Sequence, residues 1–352
     1  MNILSYNIFL RPPGVKNNQS DYKDARLQIF GENCLKNYDI VGFQELFAYG
    51  TSRQSKMLQY ARKAGYEYYV ASPSKGLLNT SVDGGLMILS RYPIVKTDKI
   101  TFKKNANSDR MSNKGAIYAK IAITPSLSVH VFNTHLKSSV DCKGGVNDPA
   151  VIVRLHQLCE LKGFIDDNIR GKAAHEPVFL MGDMGVNGRS GLDDGKHSEE
   201  FNVMCKILRG DINIAKEIDE AFYANGGSPG QKRARQYPPI KLSCKDLAFE
   251  FLQEHPITFG DVESLQTMTP RETALTSPDK LGKCICADYL FQLNFSGQET
   301  PLMDVKDTYI DRFLVAGQPF TQLSGKITTP CPKLRLTKLD HYGLRTNIFV
   351  KN

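Results

Sequence analysis

Tryptophan is absent from this 352-residue chain, and with it the side chain that most often anchors proteins at membrane interfaces. No run approaches the ~18 consecutive apolar residues of a membrane-spanning helix, which argues against such a segment. The opening residues, MNILSYNIF, alternate like a strand and carry neither a basic segment nor a cleavage pattern, so no signal peptide is visible. The expected location is therefore cytoplasmic or peripheral to a membrane, with secretion left open. Paired CxxC motifs are missing too. The eight cysteines are scattered, and Cys284-x-Cys286 alone is weak support for zinc, so reduced structural thiols are expected. There is no internal repeat.

What is present describes a globular protein: 41% hydrophobic and 23% charged residues, at a length sufficient for one large core or two ordinary domains. The formal charge of +8 favours anionic partners such as phosphate groups, nucleic acid or an acidic membrane. Period-two or continuous β-forming runs predict strands over 2–9, 39–45, 85–90, 116–123, 128–136, 177–184, 288–295 and 342–350. Helical patterns follow Ser20 and Asp148 as caps and recur over 52–64 and 198–208; Pro149 opens the Asp148 helix and Gly171 stops it. Residues 116–123 and 128–136, joined by Thr-Pro-Ser, predict an antiparallel hairpin. Helices separate other strands, so the expected fold is α/β with mixed sheets, most simply one domain over 1–352. The least regular stretch, about 188–283, contains NGGSPGQKRARQYPPIK and is expected to be a long surface insertion.

Several strands end in polar residues that a core strand does not need. Asn7 lies in the first, Glu45 ends the second in GFQE, His135 ends VFNTHL, and Asp183 ends FLMGD. Asp288 stands in CADY, and Asp340 and His341 precede the last strand. Each alone has a bland explanation as a turn residue or a hydrogen-bonded structural side chain. Together, at strand ends where loops deliver catalytic groups, they point to a site. Carboxylates with an amide oxygen are hard ligands that suit Mg²⁺ or Mn²⁺ better than zinc. A His paired with an Asp makes an oriented base, and a second His can stabilise charge on a phosphoryl group. That combination suits attack of water on a phosphate ester.

The ordered set Asn7, GFQE, DGGLMILSRYPI, NTHL, GDM, ADYLF and LDHYGL resembles the endonuclease/exonuclease/phosphatase superfamily. That resemblance implies a DNase I-like four-layer α/β/β/α sandwich of two mixed, mostly antiparallel sheets. Within the superfamily, SDRMSNKGAIYAKI and THLKSS followed by CKGG are similar to segments of the neutral sphingomyelinases. The resemblance implies Mg²⁺-dependent hydrolysis of sphingomyelin to ceramide and phosphocholine, with Mn²⁺ or Co²⁺ as substitutes. It implies Glu45 and Asn7 as metal ligands, joined by Asp340 and Asp183, and His341 as general base oriented by Asp288. His135 would stabilise the phosphoryl group or assist the leaving oxygen, and Asp183 would position the attacking water. Asn7 is counted in the catalytic set as well. Asp83, Asn133, Asn187 and Lys114 would contact substrate or support the groups that do, and Asp109 with Lys114 would couple loop position to activity.

The chain departs from the family pattern at one place. Gly-Asp-x-Asn becomes Gly182-Asp183-Met184-Gly185, with an asparagine only at 187. Either Asn187 swings in, or the site works with one donor fewer, or activity has been lost. Secreted bacterial members carry a disulfide reaching the region of Cys142, but the partner stretch FKKNANSD has no cysteine, which favours a reducing compartment. Phe320 is the one aromatic in the GQPFTQLSGKITTPC loop, so peripheral membrane contact is expected to rely on basic loops and to be salt-sensitive. The expected partner is a phosphocholine lipid at a membrane surface. No stable nucleic-acid partner is expected, because no basic stripe interleaved with aromatics is evident. Two alternatives remain: a nuclease or other phosphodiesterase of the same superfamily, and a catalytically weakened lipid-binding module.

Overall fold

The computed structural model describes residues 1–13, 23–73, 83–103, 113–138, 145–171, 176–191, 193–226, 237–260, 262, 264, 266–270, 282–296, 303–311, 313 and 341–350. Ser20, Asp109, Cys142, Phe320, Asp340 and most of the basic segment at 225–241 lie outside them.

Along the chain run β1 (Asn2–Leu10), α1 (Lys23–Ile29), β2 (Ile40–Leu46), α2 (Arg53–Lys63), β3 (Tyr68–Ala71), β4 (Met87–Ser90) and β5 (Ile94–Thr101). Then come β6 (Gly115–Thr124), β7 (Leu127–His135), α3 (Pro149–Ile169), β8 (Val178–Asp183), β9 (Arg189–Ser190) and β10 (Asp193–His197). The remainder is α4 (Glu199–Arg209), α5 (Ile212–Ala224), β11 (Leu242–Asp246), α6 (Leu247–Leu252), β12 (Asp288–Phe295), β13 (Met303–Asp311) and β14 (Gly343–Val350).

The strands form two six-stranded sheets, ordered β13-β14-β1-β2-β4-β3 and β11-β12-β8-β7-β6-β5, plus the small β9–β10 pair. Each large sheet has one parallel pairing at its centre, β1 with β2 and β7 with β8, and is otherwise antiparallel. A helix-bearing crossover joins the strands of each parallel pair, as parallel neighbours require. The hairpin expected around Thr-Pro-Ser is the β6–β7 pair.

Three apolar layers explain the order of packing. Between the sheets, Ile3, Ile40, Ile88 and Leu344 of the first meet Ile117, Val131, Phe179 and Leu290 of the second. The outer face of the first sheet buries Tyr6 and Phe43 against Leu27, Phe30 and Met57. The outer face of the second buries Tyr118, Phe132 and Phe291 against Leu155, Phe164 and Met204. Central strands buried on both faces read as continuous apolar runs, which is why FLMG and IVGF show no alternation. The result is the four-layer α/β/β/α sandwich.

The α3 helix begins where the sequence places it. The Asp148 side chain accepts from the Ala150 N–H at 2.8 Å, and Pro149 occupies the first position. The 188–283 stretch, expected to be a surface insertion, is corrected in part. Within it, β11 pairs along β12 as an edge of the second sheet, and Phe201, Met204 and Leu208 of α4 enter the core.

Candidate metal and catalytic site

Strand direction gathers the polar residues at one end of the sandwich. Asn7 and Glu45 stand near the carboxyl ends of β1 and β2, and His135 and Asp183 end the parallel pair β7 and β8. Asp288 starts antiparallel β12 directly opposite Asp183, while His135 stands opposite Asp183 on the other side. These three therefore share one rung of the second sheet. His341 enters just before β14, held by a bridge to Phe259.

Asp183 is the hub. Its Oδ2 accepts from Asn7 Nδ2 at 3.0 Å and lies 3.3 Å from His135 Nε2 and 3.7 Å from His341 Nε2. Asn7 Nδ2 also reaches Glu45 Oε1 at 3.4 Å within the first sheet, so that its bond to Asp183 links the two sheets across the site. His341 Nδ1 is 2.8 Å from Asp288 Oδ2, so the imidazole is oriented with its other nitrogen toward Asp183. All of these side chains except Glu45 are buried, and Glu45 is nearly so. Sequence reasoning thus brought together Asn7, Glu45, His135, Asp183, Asp288 and His341.

Electrostatics follow from that crowding. Burial alone would raise the Asp183 pKa, but His135 and His341, with Lys114 behind them, outweigh it and hold the carboxyl well below the ordinary range. For Asp288 burial wins and the pKa is raised, although His341 opposes it. Burial alone would lower His341; the Asp288 and Asp183 carboxylates outweigh burial and raise it to about 9. A histidine pKa raised above its ordinary ~6.5 stabilises the fold fully below that value, and the stabilisation is lost as pH rises through the folded-state pKa. Melting temperatures in cation-free buffer should therefore fall between pH 6.5 and about 9, and His341→Gln should lack that component. Parallel curves for the two proteins would contradict the ion-pair geometry.

Several buried atoms are left unsatisfied at this place: Glu45 Oε2, His135 Nε2 and Asp288 Oδ1 have no hydrogen-bond partner of good geometry. Asp183, Asp288 and His341 present atoms within 4.8 Å of one another, an arrangement that could hold a metal ion. An orphaned carboxylate oxygen beside a second carboxylate and an amide fits a hard divalent cation. The amide of Asn7 presents its nitrogen to the carboxylates while its oxygen accepts from the Phe9 N–H at 3.1 Å. To act as a ligand through oxygen, Asn7 would have to exchange its two ends.

The backbone is bent to deliver these groups. Glu45 has φ 56° and Phe9 has φ 55°, both in the left-handed region that non-glycine residues avoid at a cost of about 1–3 kcal/mol. Asp83 braces the chain just past Glu45: its Oδ2 accepts from the N–H groups of Ala48 and Tyr49 at 3.0 Å each, and its Oδ1 from Gly85 at 2.8 Å. That is a supporting position, with both oxygens engaged by backbone. Lys114 donates to the Leu136 carbonyl at 2.5 Å, immediately beyond His135.

Two expected substrate contacts are placed elsewhere. Asn133, fully buried, donates to the carbonyls of Phe43 and Met87 and accepts from Gln44 Nε2 at 2.7 Å, so it cross-links the two sheets. Its polar capacity is spent in the core, which corrects the expectation that it meets substrate. Asn187 Oδ1 accepts from the N–H groups of Arg189 and Cys286, at 3.2 Å each, which ties its loop to the segment entering β12. None of its described hydrogen bonds runs to the cluster.

The glycine at 185 has a spatial reason. Its φ is 60°, and a Cβ there would stand 2.6 Å from the Lys137 carbonyl oxygen. That segment cannot easily retreat: Lys137 N–H donates to Gln157 Oε1 at 2.7 Å, and Arg154 Nη1 donates to the Lys137 carbonyl at 3.0 Å. Gly185→Asn should therefore destabilise the protein by about 1–3 kcal/mol and leave turnover no faster. Denaturant unfolding and steady-state kinetics on the same preparation check this, and a fully stable, faster variant would overturn the steric account.

Sequence reasoning missed two neighbours. Arg11 Nε lies 3.9 Å from Glu45 Oε2 with its guanidinium 4.3 Å from the Phe9 ring centroid. Phe259 sets its ring edge-on to His341 at 4.9 Å. Neither residue lies in a motif, and a single arginine or phenylalanine in a loop carries no periodic signal.

The two mixed sheets and the carboxylate–histidine cluster between their ends define a phosphoesterase-type α/β sandwich. The sequence pattern of the Endonuclease/Exonuclease/phosphatase family matches residues 4–332, and the chain belongs to that family. A sphingomyelinase of Dictyostelium discoideum is 29% identical across 96% of this chain and 76% of its own length. A phospholipase C of Staphylococcus aureus is 31% identical over 65% of each chain. Among solved structures, beta toxin of Staphylococcus aureus superposes with TM-score 0.62 at 21% identity, covering 99% of both chains. Sphingomyelinase C of Streptomyces griseocarneus does so with TM-score 0.62 at 18% identity, covering 100% of this chain and 99% of its own. At such identities these two superpositions speak to fold.

Proposed function

We propose that the protein is a divalent-cation-dependent sphingomyelin phosphodiesterase, releasing phosphocholine and ceramide, with Mg²⁺ as the expected ion. The observation that carries the reading is the Asp288–His341 pair aimed at Asp183 beside the unsatisfied Glu45 oxygen. The choice of sphingomyelin rests on the Dictyostelium sphingomyelinase, whose similarity spans nearly the whole chain.

Glu45, Asn7 and Asp183 would hold the cation, and Asp340 lies outside the described residues. When bound, the cation would polarise the phosphoryl oxygens and offset charge in the transition state. With a cation held by Glu45 and Asp183, the carboxylate charge that keeps His341 protonated would be offset. His341 Nε2 then takes a proton from water as the water oxygen bonds to phosphorus, while Asp288 Oδ2 holds the Nδ1–H. The bond from phosphorus to the ceramide oxygen breaks, and that oxygen leaves with a proton. His135, whose Nε2 faces the Asp183 carboxylate at 3.3 Å, would donate to a phosphoryl or leaving oxygen. Burial of these groups excludes bulk water and strengthens each interaction. The lipid substrate requires contact with a membrane surface, a peripheral contact for the described residues, in which no helix is long and apolar enough to cross.

Substrate choice is tested by offering sphingomyelin in mixed micelles, phosphatidylcholine in the same micelles, and supercoiled plasmid, all with Mg²⁺. The proposal expects phosphocholine release from sphingomyelin first. Plasmid nicking without lipid cleavage would replace it with a nuclease, and inactivity on all three would favour a lipid-binding module.

A further inference from the structure

Thr258 lies within the stretch whose sequence suggests surface loop, yet it is fully buried. Its hydroxyl oxygen accepts from the backbone N–H of Ala287 at 2.9 Å and of Asp288 at 3.0 Å. Its carbonyl accepts from the N–H of Tyr342 at 2.8 Å, and its own N–H donates to Ile285 at 2.9 Å. The next residue, Phe259, pairs with both Ile285 and His341. Two consecutive residues therefore grip both chain segments that carry the Asp288–His341 pair, although the three are far apart in sequence.

A threonine hydroxyl offers one hydrogen and two acceptor positions. Here two N–H groups take the acceptor positions, which leaves the hydrogen to donate. The Asp288 carboxylate is the acid that the hydroxyl neighbours, and its proximity, after that of His341, counters the effect of burial there. Oδ2 is committed to His341, and Oδ1 has no hydrogen-bond partner of good geometry. The β-branched side chain has few χ1 choices, so the hydroxyl is held stiffly against the two N–H groups.

We propose that Thr258 is a positioning residue: by holding the backbone N–H of Asp288 and the chain at the entry of His341, it sets the imidazole with Nε2 toward Asp183. This deepens the reading of His341 as the base and rests on it. A purely architectural threonine would contribute only to stability, through its four backbone contacts.

The test compares Thr258→Val, which keeps the shape and loses the hydroxyl, with Thr258→Ser, which keeps the hydroxyl. Thr258→Ala supplies the same comparison should the valine protein fail to fold. Three readouts are taken on the Mg²⁺-loaded protein: kcat and KM on sphingomyelin micelles, melting temperature, and the downfield proton resonance of the His341 Nδ1–H shared with Asp288, assigned by its loss in His341→Ala. The expected result is a fall in kcat of about 10–100-fold for valine with KM little changed, loss of the resonance, and recovery of both in serine. A valine protein that melts lower but keeps kcat and the resonance would overturn the proposal. Should the wild type not cleave sphingomyelin, the resonance still decides: its loss in valine and return in serine supports the positioning role, and its persistence in all three refutes it.

Discussion

Replacing His341 with alanine is expected to cut turnover by about 10²–10⁴-fold, the range that a positioned acid or base contributes. The argument is geometric. His341 is the imidazole whose Nδ1 is committed to a buried carboxylate, at 2.8 Å, while its Nε2 points into the cluster. The substitution leaves Asp288 buried without its cation, which would be costly for an ionised group. Burial already raises the Asp288 pKa, so the acid can take up a proton and the fold survives as a neutral pocket. Circular dichroism should then match the wild type while phosphocholine release collapses. A variant that keeps most of its rate would remove His341 from the base role and leave its ion pair a structural feature.

Changing Glu45 to glutamine should be nearly as damaging, by another route. The side chain keeps its shape, but the unsatisfied Oε2 and the negative charge are lost together. The fold holds Glu45 at φ 56° at a cost of about 1–3 kcal/mol, although a glycine would be comfortable there. Asp83 and its three backbone N–H contacts stiffen the turn that maintains this. A strained carboxylate whose Oε2 has Arg11 at 3.9 Å but no hydrogen-bond partner is accounted for by a cation. Titration calorimetry with Mg²⁺ should show most of the binding heat gone in Glu45→Gln, and turnover should fall with it. Cation binding equal to the wild type would move the metal to the Asp183, Asp288 and His341 atoms that lie within 4.8 Å of one another.

Legibility of the fold in the sequence divided along a physical line. The central strands β1, β2, β7, β8 and β12 were readable because burial on both faces demands unbroken apolar runs. The four edge strands, β3, β5, β11 and β13, were not. Edges carry charge to resist pairing with other chains, and the charges spaced through IVKTDKIT and MDVKDTYID leave no apolar run to read. The site was legible where its residues ended recognisable strands: Asn7, Glu45, His135, Asp183, Asp288 and His341 meet as expected. Asn133 shared the same NTHL signal and, two residues before His135, the same face of β7, but it lies deeper between the sheets, and alternation does not say how far along a strand a pocket reaches. Thr258 was invisible, since its role depends on contacts with residues about 30 and 80 positions away. Gly185 was legible as a departure from the family pattern, but its cause, the Lys137 carbonyl at 2.6 Å, is a tertiary fact.

The most direct measurement runs sphingomyelin hydrolysis in ¹⁸O-labelled water, with Mg²⁺, after EDTA, and after Mg²⁺ is restored. Attack of water at phosphorus in a cation-dependent site predicts that release stops with EDTA and resumes on restoration, with the label in phosphocholine. Release that persists in EDTA, or label found in ceramide, would contradict it.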